Sequence, residues 1–265
     1  MEDEKIELKF ELADVYNKFL FHLKETIDSL THIYYAIDKL EIDIHKPLPT
    51  DSFPIIVNDN KTKSTIDEQK QITLNWTLAK AFEDLINGLT KSFKETYRYL
   101  KIYSLYKASP LIMNRNEFEK ELHKVEMEIE KLHFPDFIER IENHLSLLLP
   151  LKEEILSINK IRNCLIHRYG VVEQIDIKNS LNNDLLLKWT SLKFWTTVDG
   201  MQTEITYDFR KDGIIISDLN CDAIKNERIF KLKDKISLDI NEFNGIAYTC
   251  ATFAKNLFQL IPRPA

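Results

Sequence analysis

Ile6, Leu8 and Phe10 alternate with Glu7, Lys9 and Glu11. A period of two predicts a short strand there, or an early helical turn. From Ala13 the period lengthens. Tyr16, Leu20, Leu23, Ile27, Leu30, Tyr34 and Ile37 step by four and three, which predicts a long amphipathic helix with a bundle-type seam. Pro47, Pro49 and Pro54, among Asp51, Ser52, Asn58, Asp59 and Asn60, predict a long loop. A second long helix is predicted over about 68–107. Its buried face is Leu78, Phe82, Leu85, Leu89, Phe93, Tyr97, Leu100 and Tyr103.

Pro110 breaks the pattern, and Asn116 with Glu119 has the form of a capping box opening a third helix. Phe118, Leu122, Val125, Ile129 and Leu132 make its seam. Pro135 suits the first turn of a shorter helix carrying Ile138, Ile141, Leu145 and Leu148. Pro150 ends that helix or kinks it into a fifth, predicted over about 151–168. After Gly170 the character changes. Leu185 to Val198 reads as a strand, Asp199-Gly200 as a hairpin turn, and Thr203, Ile205, Tyr207 and Phe209 as the returning strand. Asp212-Gly213 signals a second turn into Ile214 to Ser217, and Arg228 to Lys233 reads as a further strand. Phe243, Ile246, Cys250, Phe253, Leu257 and Leu260 mark a last helix that stops near Pro262.

The expected architecture is mainly α. A bundle of long antiparallel helices (1–178) is followed by a small antiparallel β meander (179–236). A C-terminal helix (237–265) packs back on the bundle to give one compact unit. Composition fits this picture: 5 glycines in 265 residues, none before Gly88, favour long helices. A net charge of −6 argues against a protein that coats nucleic acid with a broad basic face. Three cysteines, Cys164, Cys221 and Cys250, give neither a disulfide framework nor a zinc pattern. An acidic start with no apolar segment behind it, and no run of about 18 apolar residues, predict a cytoplasmic chain with no membrane span.

One stretch of the fifth helix departs from the apolar pattern. Leu151, Ile155, Ile158, Ile161 and Leu165 share a face, and Arg162 projects into that stripe. A guanidinium does not neutralise itself on burial, so it needs a partner or a phosphate. Asn163 and His167 share another face, and Arg162 and His167 lie about 140° apart on an ideal helix. A site using both therefore calls for a facing helix, which a two-fold dimer supplies. A bland reading competes with this one. His167 and Arg168 in a last turn complement the helix dipole, and Gly170 ends the helix. Other candidates are weaker. Asp28 and His32 form an ordinary i, i+4 pair, and His123, His133 and His144 are too widely spaced for a zinc motif. Cys164 reads as a small buried residue rather than a nucleophile.

The run Arg162-Asn163-Cys164-Leu165-Ile166-His167, followed by Tyr169-Gly170, resembles the signature of HEPN domains (higher eukaryotes and prokaryotes nucleotide-binding). In these domains an arginine precedes a histidine near a helix end, late in a bundle of long helices. The resemblance covers about residues 13–178 and excludes the sheet. It implies a metal-independent endoribonuclease with no cofactor, its site assembled across a homodimer. It further implies that His167 is the general acid/base, that Arg162 holds the scissile phosphate, and that Asn163 orients His167 or a phosphate oxygen. Arg168 and Lys160 would add phosphate contacts. The nucleophile would be the RNA 2′-hydroxyl, and the setting toxin–antitoxin or phage-defence biology, with an antitoxin or defence-system protein as partner. Free imidazole, with a pKa of about 6.5, suits such proton transfer. Two alternatives stand beside this. One is a non-catalytic HEPN-like bundle that binds a nucleotide or a protein. The other is a structural helical protein in which Arg162 pairs with a buried carboxylate.

Overall fold

The structure, a computed structural model, describes residues 12–39, 65–108, 115–178, 180, 182–198, 201–205 and 218–263. Its helices are α1 (Ala13–Asp38), α2 (Ile66–Ala108), α3 (Arg115–Ile129), α4 (Phe134–Leu145), α5 (Lys152–His167), α6 (Gln174–Ile177) and α7 (Ile240–Leu260). Its strands are β1 (Leu185–Val198), β2 (Met201–Glu204) and β3 (Asn220–Phe230). The expected strand at 6–10 and the proline-rich loop at 47–60 lie outside the described residues. So do the expected Asp212-Gly213 turn and the strand at 214–217. No described helix is long and apolar enough to cross a membrane.

α2 is 43 residues long, about 65 Å at 1.5 Å per residue. The expected apolar row from Leu78 to Leu100 is buried along it, with Phe82, Leu85, Leu89, Phe93 and Tyr97 fully inaccessible. α1 runs antiparallel beside it. Ser92 Oγ donates to the Val15 carbonyl at 2.6 Å, and further along His22 packs on Gly88. A Cβ on Gly88 would lie 2.8 Å from that of His22, so the helices meet closely only because the side chain is absent. The buried edge of α1 is Val15, Phe19, Thr26, Leu30 and Ile37, which corrects part of the expected seam. Ile27 (37% exposed) and Tyr34 (42%) belong to the open edge. The apolar stripe of α1 is wider than its contact, and the position of α2 and α7 decides which edge is covered.

Pro135 stands in the first turn of α4, and Asp136 closes a capping box on the His133 N–H. Asn116 lies inside α3 rather than capping it, because that helix already includes Arg115. After α4, Ser146 turns the chain with φ 53°. The buried Glu142 carboxylate accepts from the Leu149 N–H (2.9 Å) and from Lys152 Nζ (2.5 Å), which fixes where α5 begins. The opening of α7 is secured by Asp239, whose side chain accepts from the Glu242 N–H at 2.8 Å.

The sheet is antiparallel with order β2-β1-β3. This corrects the expected meander, in which each strand lies beside its predecessor. β3 pairs with β1 from Leu185 to Trp195, and among the described residues β2 pairs with Trp195 to Val198. Val198 pairs with Met201; the turn expected at Asp199-Gly200 lies outside the described residues. The strand expected at Arg228–Lys233 begins at Asn220 and ends at Phe230. Nearer its start, β1 is also met by helices. Ser157 Oγ of α5 accepts from the Lys188 N–H (2.9 Å), and Thr249 Oγ1 of α7 accepts from the Thr190 N–H (2.8 Å). These hydroxyls pair backbone groups that a bare edge would leave open.

β1 buries Leu185, Leu187 and Trp189 toward α5 and α7. α7 also packs on α1 and α2. Phe253 of α7 meets Phe93 of α2 edge-on at 5.6 Å, and Tyr99 Oη donates to the Pro262 carbonyl at 2.7 Å. One hydrophobic core therefore runs from Val15 through the bundle to Leu187 and Ile261.

Candidate functional site

α5 sits between the sheet and α2. Ile155, Ile158, Ile161 and Cys164 anchor it with no accessible surface. The Cys164 thiol donates to the Val171 carbonyl, and burial pushes it up to about 11. It stays protonated and unreactive at neutral pH, as the sequence reading expected of a small buried residue.

Arg162 leaves the apolar stripe at the edge that faces α2. Its Nη1 donates to Asn163 Oδ1 at 3.1 Å, and its Nη2 reaches Asn87 Oδ1 of α2 at 3.4 Å. Its Nε is buried with no partner. Among the described residues no carboxylate lies within ion-pair distance of this guanidinium. Neutral amide oxygens thus orient the charge without cancelling it.

His167 closes α5 and is exposed. The helix end behind it is fixed by backbone. The Cys164 carbonyl accepts from the N–H groups of both Arg168 (3.1 Å) and Gly170 (3.0 Å). Tyr169 takes the first left-handed position (φ 53°) and Gly170 the second (φ 75°), so the reversal is shared rather than made by glycine alone. The segment after β3 straps this end. The Ile236 N–H donates to the Gly170 carbonyl at 2.7 Å, and Val172 exchanges bonds with Lys233 and Asp234 at 2.9 Å each. The position of His167 therefore depends on a piece of chain some seventy residues away.

Glu83 of α2 completes this region. The hydrogen bond from Lys80 (2.8 Å), followed by the positive fields of Lys80, Arg162 and His167, holds its carboxyl below the ordinary range against the opposing effect of burial. One carboxylate thus feels both motif residues, although they point about 140° apart on an ideal helix. Lys80, Glu83 and Asn87 recur at three and four, so they share one face of α2. That face, in the same chain, opposes the motif.

Of the other expected contacts, Lys160 is exposed on α5 and makes no ion pair among the described residues. Arg168 is committed elsewhere, contrary to its expected role on phosphate. Its Nε donates to Asp176 Oδ2 at 2.8 Å and its Nη2 to Oδ1, and the Asp176 carboxylate is only 4% exposed. This bidentate pair ties the end of α5 to α6 and sets the guanidinium against a carboxylate. Asn87, Glu83, Lys80 and Asp176 were not singled out by sequence reasoning. The first three are marked only as polar residues beside the α2 seam. Nothing in the sequence around Asp176 pairs it with Arg168. Comparison with protein-family models, curated proteins and solved structures finds no match for this chain.

Proposed function

We propose that this protein is an HEPN-type endoribonuclease that cuts RNA without a metal ion, in a site built from Arg162, Asn163 and His167 of two copies of the chain. The observation that carries the reading is the state of Arg162. Its guanidinium is held at the α2–α5 edge by two amide oxygens, with no carboxylate bound to it. A fixed guanidinium with no carboxylate bound to it, on the same helix as an exposed imidazole, supports a phosphate site.

In this reaction a base removes the proton of the 2′-hydroxyl. The 2′-oxygen bonds to phosphorus as the bond from phosphorus to the 5′-oxygen breaks. An acid returns a proton to that departing oxygen, leaving a 2′,3′-cyclic phosphate and a 5′-hydroxyl. Arg162 carries the charge that gathers on the phosphate oxygens, and Asn163 keeps the guanidinium aimed. One chain holds a single motif histidine. A second copy supplies the other, so that base and acid act in one event.

The test incubates the purified chain with RNA, and with DNA of the same sequence, in the presence of a chelator. The expected result is cleavage of RNA alone, with cyclic-phosphate ends. Cleavage of both, or 3′-hydroxyl ends, contradicts the 2′-oxygen mechanism. Lack of any cleavage returns the chain to the non-catalytic binding alternative.

A further inference from the structure

α1 and α2 leave an open groove of about 510 Å³ between them, on the exposed side of α2. Lys18, Lys91, Lys94 and Arg98 line it against one carboxylate, Glu95. Such a local excess is unusual in a chain of net charge −6. Glu95 is bound by Lys18 (2.8 Å) and by Arg98 (2.5 Å), and Arg98 is also clasped by Glu126. Lys91 and Lys94 make no ion pair among the described residues, although the charge of Lys94 helps hold the Glu126 carboxyl below its ordinary range, after the larger effect of Arg98. The Lys91 ammonium donates to Nε2 of His22 at 2.8 Å, which holds it over the groove. Beside it the Phe21 ring is 60% exposed and meets the His22 ring edge-on.

Asn87, Lys91, Lys94 and Arg98 recur at four, three and four, so they follow one face of α2. The groove therefore continues the row that starts at Asn87, the residue that touches Arg162. Lys91 lies one turn beyond Asn87, about 6 Å away.

We propose that this groove binds single-stranded RNA next to the Arg162 site, with backbone phosphates on Lys91 and Lys94 and a base stacked on Phe21. The identity of the strand rests on the ribonuclease reading. The demand for phosphate and a planar ring comes from the groove itself. Lysines are point charges that take a phosphate in many poses, and an exposed phenyl stacks any base. A row of contacts along a helix suits a linear polyanion rather than a compact one. A duplex fits poorly, because its base faces are already stacked.

The test measures binding of a fluorescent single-stranded oligonucleotide whose 2′-oxygens are methylated, so that it is held but not cut. Full-length wild type is expected to bind it with strong salt dependence. Lys91→Ala with Lys94→Ala should weaken binding and flatten the slope of log affinity against log salt by about 1.4, the value for two phosphates of a single strand. Phe21→Ala should weaken it by roughly tenfold with the slope unchanged. Circular dichroism confirms that each variant is folded. If wild type fails to bind, or both variants bind as wild type does, the groove assignment falls even where RNA is cleaved. If these losses appear but unmodified RNA is never cut, the groove stands and the ribonuclease reading falls.

Discussion

Nη2 of Arg162, on α5, meets Oδ1 of Asn87, on α2, at 3.4 Å. The contact joins the motif helix to the longest helix of the bundle through a neutral acceptor. An aspartate at the same place would form an ion pair and leave the guanidinium little charge to offer a ligand. The amide in place of an acid leaves Arg162 without an ion pair, as the proposed phosphate-binding role requires.

The isosteric change Asn87→Asp tests this separation. Asn87 is exposed, so stability should change little. RNA cleavage should fall by roughly fivefold, mostly through KM, because a surface ion pair of about 1 kcal/mol now competes with the phosphate. Steady-state kinetics on a short RNA gives the answer. Unchanged KM and kcat would mean that Arg162 does not bind substrate.

Arg168 has the opposite standing. Its bidentate pair with the nearly inaccessible Asp176 is a structural clamp between α5 and α6. Arg168→Ala removes the clamp and strands a buried carboxylate, which should cost about 3 kcal/mol of stability. Urea unfolding followed by circular dichroism measures it. A loss below about 1 kcal/mol would restore Arg168 to the pool of cations free for a ligand.

Acid should loosen the α1–α2 contact through Glu95. Burial by itself would raise this carboxyl, but the hydrogen bonds from Lys18 and Arg98 outweigh it and hold the group below its ordinary value of 4.5. With the folded value depressed, the unfolded chain takes up the proton first as pH falls. The stability Glu95 contributes is therefore complete above about pH 4.5 and drains away as pH drops through the folded value. Glu95→Gln should flatten the dependence of the urea midpoint on pH below 4.5. An identical slope in wild type and variant would show that Lys18 and Arg98 do not hold the charge in solution.

What the sequence made legible is what depends on neighbours along the chain. The apolar rows of α2, α5 and α7, the proline of α4 and the long apolar run of β1 each report on one element. Gly170 and its helix end belong to the same kind of signal. The rest depends on partners far away in sequence. Whether Ile27 or Phe19 of α1 is buried follows from where α2 and α7 lie. β3 chooses the far edge of β1, and a meander pattern reads the same for either edge. In the site, Arg162 and His167 were visible because a charge in an apolar stripe needs an explanation. Asn87 and Glu83 were not visible, since polar residues on an exposed helix face need none. The commitment of Arg168 to Asp176 was hidden for the same reason.

The most direct measurement is the rate of RNA cleavage in chelator by wild type, Arg162→Ala and His167→Ala, each shown by urea unfolding to be equally stable. The account predicts that each substitution slows cleavage by roughly a hundredfold or more, the scale of a lost phosphate clamp or proton-transfer group. Equal rates in all three proteins would contradict it.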